Sequence, residues 1–154
     1  MREGHGVTVR LQTAPFDPGA LLTAFAQGRD ATGAVVSFTG IARGEAGAVT
    51  ALELEAYPGF TDAEIARIAA AAVARFSLHD LLIVHRTGAI APGEAIVFVA
   101  TAAAHRREAF EAADQLMDYL KTRAPFWKKE HGPAGGRWVE PTDRDRADAE
   151  RWDR

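Results

Sequence analysis

The chain has 154 residues, enough for one domain with a sizeable core, and its 47% hydrophobic and 25% charged residues are ordinary for a soluble globular protein. A formal net charge of −3 and a pI near 5.9 argue against broad nucleic-acid or membrane-surface binding, so any basic site must be local. There is no cysteine, which excludes disulfides and cysteine nucleophiles, and the five histidines are scattered without an H-x-x-x-H pair or a His–carboxylate cluster, which points away from a metal.

Val7, Val9 and Leu11 alternate with polar residues and predict a first strand. Asp17 and Pro18 predict a helix start, as N-cap and first helical residue, with Phe16 placed as a hydrophobic staple. Leu21, Leu22 and Phe25 supply its apolar face and Gly28 ends it. Residues 33–41, with Val35, Val36 and Phe38, predict a strand that runs into a glycine-bearing loop, residues 40–47, carrying Arg43. Residues 50–57 alternate again, Leu52 and Leu54 on one face, Glu53 and Glu55 on the other. After the break at Pro58-Gly59, Thr61-x-x-Glu64 predicts a capping box. The helix it opens places Ile65, Ile68, Ala69, Ala72 and Phe76 on one face. Residues 81–84 and 95–100 are apolar runs separated by a turn at Ala91-Pro92-Gly93, most simply a hairpin.

A long helix follows, opened by His105, Arg106 and Arg107 and closed by Lys121, Thr122 and Arg123. Phe110, Ala113, Met117 and Leu120 form its predicted apolar stripe, and Ala124-Pro125 stops it, because proline disfavours the α conformation in the residue before it. Residues 126–130 predict an aromatic and basic loop, residues 132–136 a glycine-rich link, and Trp138-Val139 a short strand. Residues 141–154 are of mixed charge with little apolar content beyond Trp152, and predict a flexible tail after a single domain spanning residues 1–140. The order β-α-β-β-α-β-β-α-β predicts an α+β sandwich with a mainly antiparallel sheet and about three helices. With no apolar N-terminal segment and no run of transmembrane length, the expected location is the cytoplasm.

The two ends of the long helix are not equivalent. Lys121 and Arg123 suit the negative end of the macrodipole and need no function to explain them. His105, Arg106 and Arg107 oppose the dipole at the other end, which makes sense if an anion sits there on free backbone N–H groups and arginine forks. Solvated side chains pointing away account for them equally well. Arg43, and Lys128 with Glu130 beside Phe126 and Trp127, are the remaining basic candidates; each alone is more simply a solvated or core residue. His85-Arg86, at a strand end, suits structural hydrogen bonding better than catalysis. His105 and Lys121 lie sixteen residues apart on one helix, roughly 24 Å at about 1.5 Å per residue, which a small-molecule pocket does not comfortably span. If both serve one site, one end comes from a second copy of the chain, and a symmetric dimer carries two composite sites.

Ala104-His105-Arg106, Phe110-Glu111-Ala112 and the whole of residues 117–128 resemble the large, catalytic subunit of molybdopterin synthase. Phe38-Thr39-Gly40 with Arg43, Tyr57-Pro58-Gly59, His85-Arg86-x-Gly88, Pro92-Gly93-Glu94 and Arg137-Trp138-Val139-Glu140 extend the match, in the family's order, over about residues 7–140. The resemblance implies an α/β-hammerhead variant of the α+β class. It also implies a central homodimer in which each copy binds one small ubiquitin-like sulfur-carrier subunit, giving a heterotetramer. The implied reaction moves sulfur from a thiocarboxylate on the carrier's C-terminal Gly-Gly to cyclic pyranopterin monophosphate, forming the dithiolene of molybdopterin, with no metal or cofactor. A chain without cysteine cannot carry a persulfide, so a partner must bring the sulfur.

On this resemblance Lys121 and Lys128 are the catalytic candidates. Lys121 would stabilise negative charge developing at the carrier's terminal carbonyl, and Lys128 would move a proton with Glu130 orienting it. Ile41, Ala42, Arg43, His105, Arg106, Lys129 and Arg137 join them and Glu130 as substrate-binding candidates, with Arg43, His105 and Arg106 suited to the cyclic phosphate. Ile41-Ala42 replace a more usual basic-then-valine pair, and Lys129 stands where arginine is also common. Two other readings compete: an RNA-binding module stacking bases on Phe126 and Trp127, which the acidic net charge opposes, and a non-catalytic carrier-binding scaffold of the same fold.

Overall fold

Two apolar runs without alternation organise the chain, and the computed structural model, which describes residues 6–153, shows why they lack it. The elements in order are β1 (Val7–Gln12), α1 (Pro18–Ala26), β2 (Ala34–Ile41), β3 (Ala51–Ala56), α2 (Thr61–Phe76), β4 (Asp80–Arg86), β5 (Gly88–Ile90), β6 (Ala95–Ala103), α3 (Arg106–Thr122), β7 (Phe126–Gly132), β8 (Gly135–Trp138) and α4 (Asp143–Glu150). Short 3-10 turns lie at Glu45–Gly47 and Arg151–Asp153. One sheet has the order β1-β4-β6-β2, with β1 parallel to β4 and the other pairs antiparallel. The second, β5-β3-β7-β8, is antiparallel throughout.

β4 and β6 occupy the middle of the first sheet and are covered on both faces, so they read as continuous apolar runs. On one face, Leu81, Ile83, Val97 and Val99 pack with Ile65, Ala69 and Ala72 of α2 and Ala109, Ala112 and Leu116 of α3. On the other, Leu82, Val84, Phe98 and Ala100 meet Phe25 of α1. Each fully buried Leu, Ile or Phe in these layers contributes about 1.5–3 kcal/mol. A third, smaller cluster (Ala42, Leu52, Leu54 and Ile90, with Ile96 and Phe126 against it) joins the second sheet to the first. No helix among the described residues is long and apolar enough to cross a membrane.

The α+β class with largely antiparallel sheets is as expected, and Asp17 does cap α1, accepting from the amides of Gly19 and Ala20. Five local expectations differ. The β4–β6 hairpin is present, but its connection carries β5, which leaves to pair with β3 in the other sheet. Thr61 and Glu64 form no capping box. Phe60 is the N-cap, the Thr61 hydroxyl accepts from the Tyr57 amide and donates to the Pro125 carbonyl instead, and Glu64 pairs with Arg67. The buried stripe of α3 is Ala109, Ala112, Ala113, Leu116 and Leu120, whereas Phe110 is 61% exposed and Met117 only half-buried. Small residues win that stripe because the helix lies close on β6, where the Thr101 hydroxyl donates to the Ala109 carbonyl at 2.7 Å.

The other two differences concern the C-terminal third. Residues 126–130 are not a loop but the first part of β7, paired with β3 along its whole length. The tail expected to be flexible forms α4, opened by a capping box between Thr142 and Asp145. It is fastened to the helical layer: the Trp152 indole donates to Asp118 at 2.7 Å and stacks edge-on against Phe76, and Arg123 pairs with Asp153. Aromatic burial and ion pairs together offset the ordering cost of so polar a segment.

Candidate active site

The bulged end of β2, the last turns of α3, the inner face of the second sheet and the start of α4 enclose an open pocket of about 710 Å³. The register of β2 against β6 shifts between Gly40 and Ile41, so the chain leaves the sheet there. Ala42 anchors the departing loop, its N–H donating to Glu94 and its carbonyl accepting from Gly93. That leaves the Arg43 side chain 83% exposed at the pocket rim, where it meets Glu45 at 3.1 Å. An exposed pair of this kind is weak, so the guanidinium can readily exchange its partner for another anion.

β7 supplies the inner wall by strict alternation. Phe126, Lys128 and Glu130 face the pocket, while Trp127, Lys129 and His131 face the other way. Lys121, exposed in the last turn of α3, approaches from the opposite side of the reversal at Pro125. Burial chiefly, and then the charges of Lys121 and Arg43, hold the Lys128 ammonium below the ordinary lysine range; Glu130 and Asp145 pull the other way. Glu130 also accepts from Arg137 at 2.9 Å, the residue opposite it on β8. Asp145 of α4 lies below the usual carboxylate range, first because the Thr142 amide donates to it, with Lys121 and Lys128 adding to the effect. His85 forms part of the pocket's lining, and burial pushes its imidazole down to about 4. The pocket sets Arg43, Lys121, Lys128 and Arg137 among Glu45, Glu130, Glu140 and Asp145, with one partly desolvated amine able to act on charge developing at an acyl oxygen.

The sequence model of the MoaE protein family matches residues 11–123. The chain belongs to the MoaE family. The molybdopterin synthase catalytic subunit of Caulobacter vibrioides is 72% identical over 145 residues, covering 94% of this chain and 97% of that protein. The structure of the MoaE protein from Burkholderia ambifaria is 44% identical, with a TM-score of 0.81 over 96% of this chain and 99% of that one. The fold is also that of the complex of subunits 1 and 2 of molybdopterin-converting factor from Helicobacter pylori, at 19% identity and a TM-score of 0.69 over 90% of this chain and 91% of that one. The chain is thus an enzyme of the molybdopterin synthase catalytic-subunit family.

In this MoaE chain the pocket gathers Ile41, Ala42, Arg43, Lys121, Lys128, Glu130 and Arg137. It does not gather His105, Arg106 or Lys129. His105 is the N-cap of α3 and Arg106 its first residue, both exposed at the far end of the helix from Lys121. Lys129 points to the outer face of β7, its Nζ 5.1 Å from the centre of the Trp138 ring. Two further members of the pocket, His85 and Asp145, were not among the site residues expected from the sequence. His85, part of the matching His85-Arg86-x-Gly88 run, was expected to be a structural residue at a strand end. Asp145 carried a signal, since Thr142-x-x-Asp145 is a capping pattern like that at Thr61, in a segment whose polarity masked it.

Proposed function

We propose that this pocket is where sulfur passes from the C-terminal thiocarboxylate of a small ubiquitin-like carrier to cyclic pyranopterin monophosphate, forming the dithiolene of molybdopterin. The observation that carries the reading is the convergence of Lys121 and Lys128 on one pocket, with the Lys128 ammonium destabilised, in a chain that has no cysteine of its own. Lys121, in the last helical turn, stabilises negative charge developing on the carrier's terminal carbonyl oxygen. Lys128, with its lowered pKa, is the proton acceptor. Glu130, held by Arg137, acts on Lys128 through its charge. Arg43 meets the substrate's cyclic phosphate at the rim. The two-subunit complex from Helicobacter pylori, which shares this fold, supports a carrier as partner.

His105 and Arg106 enter the same reading through a second copy of the chain. They are too far along α3 to reach their own protomer's pocket, at roughly 24 Å from Lys121 by about 1.5 Å per residue. The exposed Phe110 lies one turn from Arg106 on the same helix face, and gives that end of α3 an apolar anchor for a homodimer interface beside its cations. A symmetric dimer then carries two composite anion sites, and with two carriers becomes a heterotetramer.

Reconstitution tests both parts. Purified protein, thiocarboxylated carrier and cyclic pyranopterin monophosphate yield dithiolene product with wild type and none with Lys121→Ala. Mixed dimers of Lys121→Ala with His105→Ala recover part of the activity, because one of their two sites is assembled from undamaged halves. Absence of product from wild type with a competent carrier refutes the reaction. Verified mixed dimers without recovery refute the cross-protomer geometry and leave the reaction standing.

A further inference from the structure

We infer that His85 is a specificity-determining residue of the pocket, its Nε2 lone pair accepting a hydrogen bond from a ring N–H of the bound substrate. The inference rests on the sulfur-transfer reading above for what that substrate is, a heterocycle rich in N–H groups.

The geometry leaves His85 little else to do. It is the penultimate residue of β4, on the side that faces α3 and the second sheet, is 8% exposed, and still lines the pocket. Its ring stacks on Phe126 with centroids 4.3 Å apart and planes at 22°. Its Nδ1 lies 2.8 Å from the Arg86 carbonyl oxygen. A carbonyl can only accept, so Nδ1 carries the proton and Nε2 keeps its lone pair. No hydrogen-bond partner for Nε2 is present among the described residues. Arg86 keeps this backbone in place, because its own guanidinium is buried and donates to the Thr13 carbonyl on the neighbouring turn.

The environment also keeps the ring neutral. Burial and the nearby Lys128 charge both oppose protonation, so near neutral pH Nε2 accepts and never donates. The pocket therefore pairs a fixed neutral acceptor and an apolar wall, Phe126 with Met117 and Leu120, with the cations Arg43, Lys121, Lys128 and Arg137 set among carboxylates. Cations hold any phosphate ester of suitable size; an acceptor in the wall asks in addition for a donor at one position on the ring. A ligand lacking that donor leaves the lone pair buried and unpaired, which is how a site rejects near-isosteres.

The test uses the reconstituted enzyme with its carrier. His85→Phe keeps the stack and removes the acceptor, while His85→Gln places an amide oxygen near the position of Nε2. His85→Phe is expected to raise the KM for cyclic pyranopterin monophosphate about tenfold, with kcat, the KM for carrier and the acid limb of the pH profile unchanged, and His85→Gln to restore most of that loss. An unchanged substrate KM overturns the inference. So does a loss confined to kcat with a displaced acid limb, where Lys128 as proton acceptor is lost to protonation, which would assign His85 to Lys128 instead. Wild-type protein carrying 15N-histidine gives a readout that needs no variant: the Nε2 resonance moves upfield when substrate binds, and a stationary resonance overturns the inference. Wild type that makes no product refutes the sulfur-transfer reading and this inference with it, whereas an active wild type with a silent His85→Phe refutes this inference alone.

Discussion

Replacing Thr61 by valine probes how the scaffold holds β7 in place. The Thr61 side chain is fully buried, and its single hydroxyl accepts from the Tyr57 amide at 2.8 Å while donating to the Pro125 carbonyl at 2.8 Å. Pro125 is the residue before β7, so this one oxygen ties the start of α2 to the strand that bears Lys128. Valine matches threonine in volume and opens no cavity, but it leaves one amide and one carbonyl without partners. Each such orphan costs about 1–3 kcal/mol, and because both backbone groups are only partly buried the lower half of that range applies. The expected loss is about 2–4 kcal/mol, which in a chain of this size lowers Tm by about 5–15 °C. Urea unfolding followed by tryptophan fluorescence measures it, with the m value unchanged. Thr61→Ser keeps the hydroxyl and gives up only a methyl group, so it retains most of the stability. Thr61→Val within about 0.5 kcal/mol of wild type, or less costly than Thr61→Ser, refutes the tie. If the tie holds, the same substitution also loosens Lys128, and its pKa rises toward the ordinary value as water enters.

Three further outcomes follow from groups around the pocket. His85 titrates near 6.5 unfolded and about 4 folded, so below 6.5 the unfolded chain binds the proton first and stability falls as the pH drops toward 4. The loss by about pH 5 is about 2 kcal/mol, and the difference between wild type and His85→Phe in urea titrations across this window isolates it; parallel curves would contradict it. Asp145→Asn removes a carboxylate that favours the Lys128 ammonium, so the pH–rate limb assigned to Lys128 moves to lower pH; a limb that stays put would mean that α4 does not act on the lysine. Gly132→Ala brings a Cβ to 2.0 Å from the Ala48 carbonyl oxygen, where backbone must shift. A loss of about 1–3 kcal/mol is expected in thermal unfolding, and a neutral result would show that this turn yields freely.

Comparing the two capping patterns shows where sequence reasoning stops. Thr61-x-x-Glu64 and Thr142-x-x-Asp145 carry the same local signal, yet only the second forms the box. What separates them is that Tyr57 occupies both groups a box needs, its amide donating to the Thr61 oxygen and its carbonyl taking the Thr61 amide. The Pro125 carbonyl, distant in sequence, fixes the hydroxyl by accepting its proton at 2.8 Å. β7 was unreadable for a related reason. Apolar-in, polar-out alternation identifies a strand whose inner face meets a core, but the inner face of β7 meets a pocket, so Lys128 and Glu130 point inward and Trp127 outward.

Local order and chemical identity were determined by the sequence alone. Asp17-Pro18, the alternation of Leu52 and Leu54, the apolar face of α2 and the unbroken runs of β4 and β6 depend on neighbours within a few residues, where steric and solvation preferences act directly. The residues of 117–128 carry the family's chemistry as a continuous string, so that too could be read without coordinates. Only the tertiary structure decided which of them meet. Successive strand residues face opposite ways, so Lys128 joins Lys121 while Lys129 turns to Trp138. His85 and Asp145 reach the same pocket from remote parts of the chain, because strand register and helix docking are set by the summed burial of both sheets and no local stretch encodes that sum.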